Sequence, residues 1–97
     1  MDFPFDESPN VAVITTRPVM SGASWIANVF HDEDDGGWQF HGVEDPDMDA
    51  AMVVALKSVL ELDPSIAEVA DLPLGWQAWR RGPDEPWQRI PARGEDG

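Results

Sequence analysis

The first half of the chain alternates short apolar runs with polar and turn-forming positions. Residues 11–16 are uncharged and rich in β-branched side chains, which predicts a buried strand that ends at Arg17-Pro18 because proline lacks a backbone donor. Alternating patterns predict a second strand over Ser24–Phe30 and a third over Trp38–Val43. Asp35-Gly36 between them is typical of a hairpin turn, so these two strands are expected to pair antiparallel.

The period of the apolar positions changes near Asp47. Met48, Met52, Leu56 and their neighbours recur at steps of three and four residues, and they predict an amphipathic helix over about 48–61, with Asp47 or Asp49 as its cap. Asp63-Pro64 then predicts a second, short helix, because proline suits the first turn and aspartate suits the cap.

Two further strands, 75–80 and 87–90, are predicted around a turn at 82–86. The order β-β-β-α-α-β-β, with about five strands, predicts an α+β fold: an antiparallel-rich sheet with the helices packed on one face. The 97 residues fit one domain, 1–97. We expect an extended lead-in at 1–10, with Phe3 or Phe5 docked on the body, and a flexible tail at 91–97.

The net charge is the most unusual property of this chain, whereas its apolar fraction of 42% is ordinary for a globular domain. Nineteen acidic residues face six basic ones, for a net charge of −13. Binding to phosphate backbones relies on Lys and Arg that displace counterions, so no nucleic-acid or anionic-membrane partner is expected. A basic protein partner fits the charge, and the alternative is a solvated acidic surface without a partner. The oligomeric state cannot be inferred from this pattern.

The acidity is concentrated in one stretch. Residues 32–49 contain eight acids and no base, spread over the predicted hairpin loop and helix entry. The candidate partner-binding residues are therefore Asp32, Glu33, Asp34, Asp35, Glu44, Asp45 and Asp47.

Motifs for catalysis are scarce. The chain has no cysteine, and none of its serines lies in a Gly-x-Ser-x-Gly turn. Clustered exposed carboxylates lack the apolar surroundings that raise a carboxyl pKa for acid catalysis. We therefore predict no catalytic residues and no cofactor, and a non-enzymatic protein rather than an enzyme.

Two patterns raise the question of a metal site, and both fall short. Counted from Asp32, the acidic loop lacks the fifth and twelfth ligands of an EF-hand, where Gly36 and Val43 stand. His31 and His41 lie on the two arms of the hairpin. A turn at Asp35-Gly36 would place His31 opposite Phe40, with His41 on the other face of the sheet. No metal ligand is predicted.

A Trp-Gln pair opens three predicted strands, at Trp38, Trp76 and Trp87. Either each Trp packs the helices against the sheet while Gln faces water, or the rings form a Trp-lined sheet face that binds a small ligand or a substrate. Arg80 and Arg89 are expected to pair with acids of the body, as exposed pairs that contribute about 0–1 kcal/mol each.

No targeting pattern is evident. Residues 1–7 lack the basic and apolar regions of a signal peptide, and no segment reaches the ~18–20 apolar residues that span a bilayer. The expected location is the cytoplasm.

Three stretches carry a resemblance to a known family. They are Val13-Ile14-Thr15-Thr16-Arg17-Pro18-Val19-Met20 followed by Trp25, Asp34-Asp35-Gly36-Gly37-Trp38-Gln39-Phe40, and Leu62-Asp63-Pro64-Ser65-Ile66 leading to Leu72-Pro73-Leu74-Gly75. Together they resemble a bacterial family of unknown function, number 2185 among such domains, which is grouped with predicted immunity proteins of polymorphic toxin systems. The resemblance spans most of 11–80 and implies a small α+β fold and toxin neutralisation. The three tryptophans after Gly75 depart from the family pattern, and no residue role is carried over.

Overall fold

The computed structural model describes residues 3–34, 36–43 and 51–91. The predicted helix caps Asp47 and Asp49 and most of the predicted tail, residues 92–97, lie outside these ranges. Within them the chain forms β1 Ala12–Thr16, α1 Arg17–Ser21, β2 Asn28–His31, β3 Trp38–His41, β4 Ala51–Ala55, α2 Leu56–Leu62, a 3₁₀ helix Pro64–Val69, β5 Trp76–Trp79 and β6 Gln88–Pro91.

The fold is α+β, built on one six-stranded sheet in the order β4-β1-β3-β2-β5-β6. β1 and β3 run parallel, and the other four pairings are antiparallel. Buried side chains of α2 and the 3₁₀ helix form one apolar cluster with those of the central strands. The prediction of about five strands in the order β-β-β-α-α-β-β was wrong in number and in order.

The largest correction concerns the helix predicted over 48–61. Residues Ala51–Ala55 are the strand β4, which pairs along the whole of β1, and only Leu56–Leu62 is helical. Met52 and Val54 pair with the buried side of β1, while Val53 faces away and is exposed. The apolar spacing of this segment fits one long amphipathic helix, and it fits equally a strand followed by a short helix. Pairing with β1 selects the second arrangement.

A second difference from the sequence analysis lies directly after β1, where no helix was predicted. Arg17–Ser21 is a short helix. The Thr16 hydroxyl accepts from the Val19 amide at 3.4 Å, Pro18 lies in the first turn, and Gly22 ends the helix with a φ of 86°. The following strand therefore begins at Asn28 rather than Ser24.

The hairpin of β2 and β3 is antiparallel as predicted, with a different register. His31 pairs with Trp38 rather than with Phe40. Gly36, with a φ of 73°, lies near the end of a longer loop, 32–37, rather than at the second position of a two-residue turn. The shift of two residues keeps every side chain on its predicted face, so His41 lies on the other face of the sheet from His31, as predicted.

Trp38 is the centre of the core and is 2% exposed. The ring of Phe5 meets it edge-on at 5.0 Å, and His31 stacks on it at 3.9 Å. The lead-in is thus docked through Phe5, and this first Trp-Gln pair places its tryptophan in the core, as the packing alternative predicted. Its glutamine, Gln39, is half-buried rather than fully in water.

Arg80 fastens the end of β5 to the rest of the fold, and the expectation of an exposed ion pair was wrong for it. Its side chain is 2% exposed and lies over the Trp87 ring, 4.2 Å from the centroid. The guanidinium donates to the Ile26 carbonyl (2.9 Å), the Ser65 hydroxyl (2.8 Å), the Pro83 carbonyl (3.1 Å) and an Asp63 carboxylate oxygen (2.7 Å). Arg89, by contrast, forms a partly exposed pair with Asp71.

We expect Arg80→Met to lower the free energy of unfolding by about 3 kcal/mol, because it removes one member of a buried ion pair and leaves several acceptors without a donor. Urea unfolding monitored by tryptophan fluorescence measures the change. Arg89→Met is the matched control and should cost far less, because water solvates Asp71 once the pair is lost. Equal losses for the two variants would show that Arg80 is not the stabilising contact described above.

Candidate functional site

The hairpin loop between β2 and β3 and the start of β5 form one acidic surface. We name it the tip surface and define it by Phe30, Asp32, Glu33, Asp34 and Trp76. It surrounds a shallow depression of about 170 Å³, which is lined by Phe30, His31, Asp32, Glu33, Asp34, Gly75 and Trp76. Its aromatic members are half-buried, and Glu33 and Asp34 are exposed.

Backbone hydrogen bonds fix this surface from two sides. The Asp32 amide donates to the Gly37 carbonyl at 2.8 Å, and the Gly36 amide returns to the Asp32 carbonyl at 3.0 Å. The Gly75 amide donates to the His31 carbonyl at 2.7 Å, which joins the start of β5 to the hairpin. Gly75 has a φ of 82°, and a Cβ there would lie 3.4 Å from the Glu33 carboxylate. Glycine at this position therefore lets Glu33 lie against the backbone.

His31 forms the inner wall of the depression. Its Nδ1 donates to the Leu72 carbonyl at 2.7 Å while its ring stacks on Trp38. The donor at Nδ1 leaves Nε2 directed toward Glu7, whose carboxylate oxygen is 3.8 Å away. The lead-in thus adds a further carboxylate beside the acidic loop.

A chain of three side chains connects the tip surface to the face of the sheet opposite Trp38. The Gln39 amide nitrogen donates to an Asp32 carboxylate oxygen at 2.7 Å, and His41 Nε2 lies 2.9 Å from the Gln39 amide oxygen. A carboxylate only accepts, so the Gln39 NH₂ group must face Asp32 and its oxygen must face His41. His41 Nε2 is therefore a donor.

His41 is held neutral by this arrangement. It is 7% exposed, and its Nδ1 has no hydrogen-bond partner in the described part of the chain. Protonation would place an N–H at Nδ1 without an acceptor. Burial lowers the pKa of His41 below its ordinary value of 6.5, and the nearby Asp32 charge opposes that shift in part.

The loop contributes the carboxylates of Asp32, Glu33 and Asp34 to the tip surface. Two carboxylate–guanidinium pairs of the described residues, Asp63–Arg80 and Asp71–Arg89, lie away from the tip. Asp32 is bonded to the neutral Gln39 amide. The tip surface therefore carries negative charge beside aromatic rings, an arrangement that suits Lys or Arg side chains of another molecule.

The structure brings together three of the predicted partner-binding residues, Asp32, Glu33 and Asp34. Asp35, Glu44, Asp45 and Asp47 lie outside the described residues. Sequence analysis did not count Phe30 as a candidate and named Trp76 only as part of a Trp-lined sheet face. Trp76 joins the acidic loop because β5 pairs with β2 and places it opposite His31. The available signal for a strand that starts at Trp76 was the Gly75-Trp76 pair, because Gly37-Trp38 opens β3 in the same way.

Other site classes have less support. No group of three His, Asp or Glu side chains suited to a metal ion occurs within the described ranges. A second depression, of about 310 Å³, lies between β5 and the loop before β6 and is lined by Trp79, Arg81, Glu85, Pro86 and Gln88. In the part of the chain that the structure covers, no helix has the length and apolar character needed to cross a membrane.

The chain was compared with protein-family models, with curated proteins and with solved structures, and none of the three comparisons finds a match.

The neutral, buried state of His41 predicts a pH dependence of stability. Its pKa is lower in the folded protein than in the unfolded chain, so below about pH 6.5 the folded protein binds fewer protons than the unfolded chain does. The contribution of His41 to the free energy of unfolding is therefore complete above that pH, and it is lost as the pH falls through the lower, folded pKa. Urea unfolding at a series of pH values should therefore show stability declining on acidification below pH 6.5. In His41→Gln that part of the decline should be absent, and the same decline in both proteins would contradict the assignment.

Proposed function

We propose that this protein is a non-enzymatic protein-binding module and that its acidic hairpin tip binds a basic partner. The tip surface is the site, with Asp32, Glu33 and Asp34 as the charged contacts. Asp35, Glu44, Asp45 and Asp47 add to the proposed acidic surface on the strength of the sequence.

One observation carries the proposal: the acidic side chains of the loop and the Phe30 and Trp76 rings line the same depression. Aromatic faces and carboxylates are the two groups that bind Lys and Arg side chains most favourably. The depression of about 170 Å³ has room for one side chain rather than for a drug-sized ligand, which needs about 300 Å³ or more. A net charge of −13 would in addition speed the encounter with a cationic protein.

The resemblance to the immunity-grouped family supports a narrower form of this proposal. In that form the partner is a toxin, and this protein neutralises it by binding to it and covering part of its surface. An inhibitor of this kind needs no catalytic residues, so it agrees with the scarcity of catalytic motifs. The gene next to this one in its genome is the first candidate for the partner.

Removing charge from the tip is the direct test. We expect the double variant Glu33→Gln/Asp34→Asn to weaken binding of the neighbour-encoded protein about tenfold or more, because both substitutions keep the shape and remove the attraction. Binding of the wild-type protein should also weaken as salt rises from about 50 to 500 mM, since exposed charges are screened. Isothermal titration calorimetry measures both effects.

The matched control is Asp84→Asn/Glu85→Gln, which removes the same charge from an exposed loop outside the tip surface. It should bind as the wild-type protein does. Equal weakening in the two double variants would mean that net charge, not the tip, governs association. If the neighbour-encoded protein does not bind, the three proteins can be used as baits in the native host. A partner kept by the wild type and the control but lost by the tip variant then supports the proposal, and retention by all three refutes it.

The second candidate function is binding of a small cationic ligand, and the specific observation in its favour is that His31 and Trp76 both line the depression. Titration with free arginine and with short diamines, followed by tryptophan fluorescence, separates the two candidates. Saturable binding of these molecules at micromolar concentration favours the small ligand. Binding that requires a folded partner favours the protein-binding module.

A further inference from the structure

The two edges of the sheet are built differently. β6, at one edge, carries Arg89, whose guanidinium is bonded to Asp71 and to the Glu68 carbonyl, and it ends in Pro91, which has no backbone donor. A charged side chain and a proline are two of the devices that keep an edge strand from pairing with another chain. The β6 edge is therefore protected.

β4, at the other edge, has none of these devices. Its sequence is Ala51-Met52-Val53-Val54-Ala55, without a charge or a proline. Val53 is 68% exposed, and the neighbouring Ile14 on the same face is 39% exposed. Met52 and Val54, on the opposite face, are only half-buried, so both faces of the strand present apolar atoms. An uncharged, apolar edge of this kind is a template for strand pairing.

We propose that β4 is a self-association surface, on which β4 of a second copy of this chain pairs antiparallel about a two-fold axis at Val53. The axis sets Val53 opposite its own copy and Met52 opposite Val54 of the second copy. Apolar and β-branched cross-strand pairs then form on both faces of the joined sheet. The contact is self-complementary, so it closes at two copies.

Charge favours a second copy over the basic partner as the occupant of this edge. The strand offers no carboxylate, and the exposed Lys57, two residues after the end of β4, opposes a cationic partner. Two copies, each at −13, repel one another over their whole surfaces, while the paired strands themselves are neutral. Salt screens that repulsion, so self-association should strengthen with salt, opposite to the proposed binding at the tip.

The size of the contact sets its strength. A pair of five-residue strands buries less than the ~1,200 Å² of a standard stable interface, so the dimer should be weak and reversible. Sedimentation velocity of the full chain from about 10 μM to 1 mM should show the mean mass rising from 10.7 kDa toward twice that value, and rising further in high salt.

Val53→Lys is the decisive variant and Ile90→Lys is its matched control, because both add one positive charge at an exposed position of an edge strand. We expect Val53→Lys to weaken self-association about tenfold or more and Ile90→Lys to leave it unchanged. Circular dichroism checks that both variants fold. A second measurement uses the wild-type protein alone: amide exchange over Ala51–Ala55 should slow as the concentration rises, while that over Gln88–Pro91 should not.

Four results would overturn the proposal. The first is a mass that stays at the monomer value up to about 1 mM in high salt. The second is association that weakens with salt. The third is equal weakening by the two variants, which indicates head-to-tail pairing of β4 with β6. The fourth is a mass that grows beyond two copies. The tip variants test the proposed function separately, since they leave β4 intact.

Discussion

The guanidinium of Arg80 is the contact on which the arrangement of the later elements depends. It joins the chain before β2, the start of the 3₁₀ helix and the loop before β6. Asp63 accepts from it and also caps the 3₁₀ helix through the Ser65 amide, so one carboxylate begins the 3₁₀ helix and anchors β5. A buried cation requires such a set of acceptors, because leaving it unpaired is costly.

The placement of β5 has consequences at the acidic hairpin. Because β5 pairs with β2, Trp76 lies opposite His31, and the bond from Gly75 to the His31 carbonyl brings the loop and the strand together. The tip surface therefore belongs to two separate parts of the chain. Trp38, which stacks on His31 and meets the Phe5 ring edge-on, supports it from the core. A charged surface on such a base can bind a partner with little loss of conformational freedom.

Several features follow from local physics and were predicted from the sequence. The β2–β3 hairpin, the capped turn at Asp63-Pro64, the last two strands and the α+β class depend on neighbours in the chain: alternation, a cap and a proline. The acidic loop was predicted as the candidate site for the same reason, since charge along a chain needs no fold to be counted. The segment 51–55 was wrongly assigned to a helix, because its spacings suit either structure until β1 is present to pair with it.

Sequence alone thus determined which segments bury apolar side chains and where the negative charge accumulates. Tertiary structure decided the strand order, the two-residue shift that pairs His31 with Trp38, and the burial of Arg80. It also decided that Phe30 and Trp76 lie beside the acidic loop and that Val53 is exposed on an edge strand. The physical reason is common to all of these: each depends on contacts between residues far apart in the chain, and such contacts form only when the sheet is assembled.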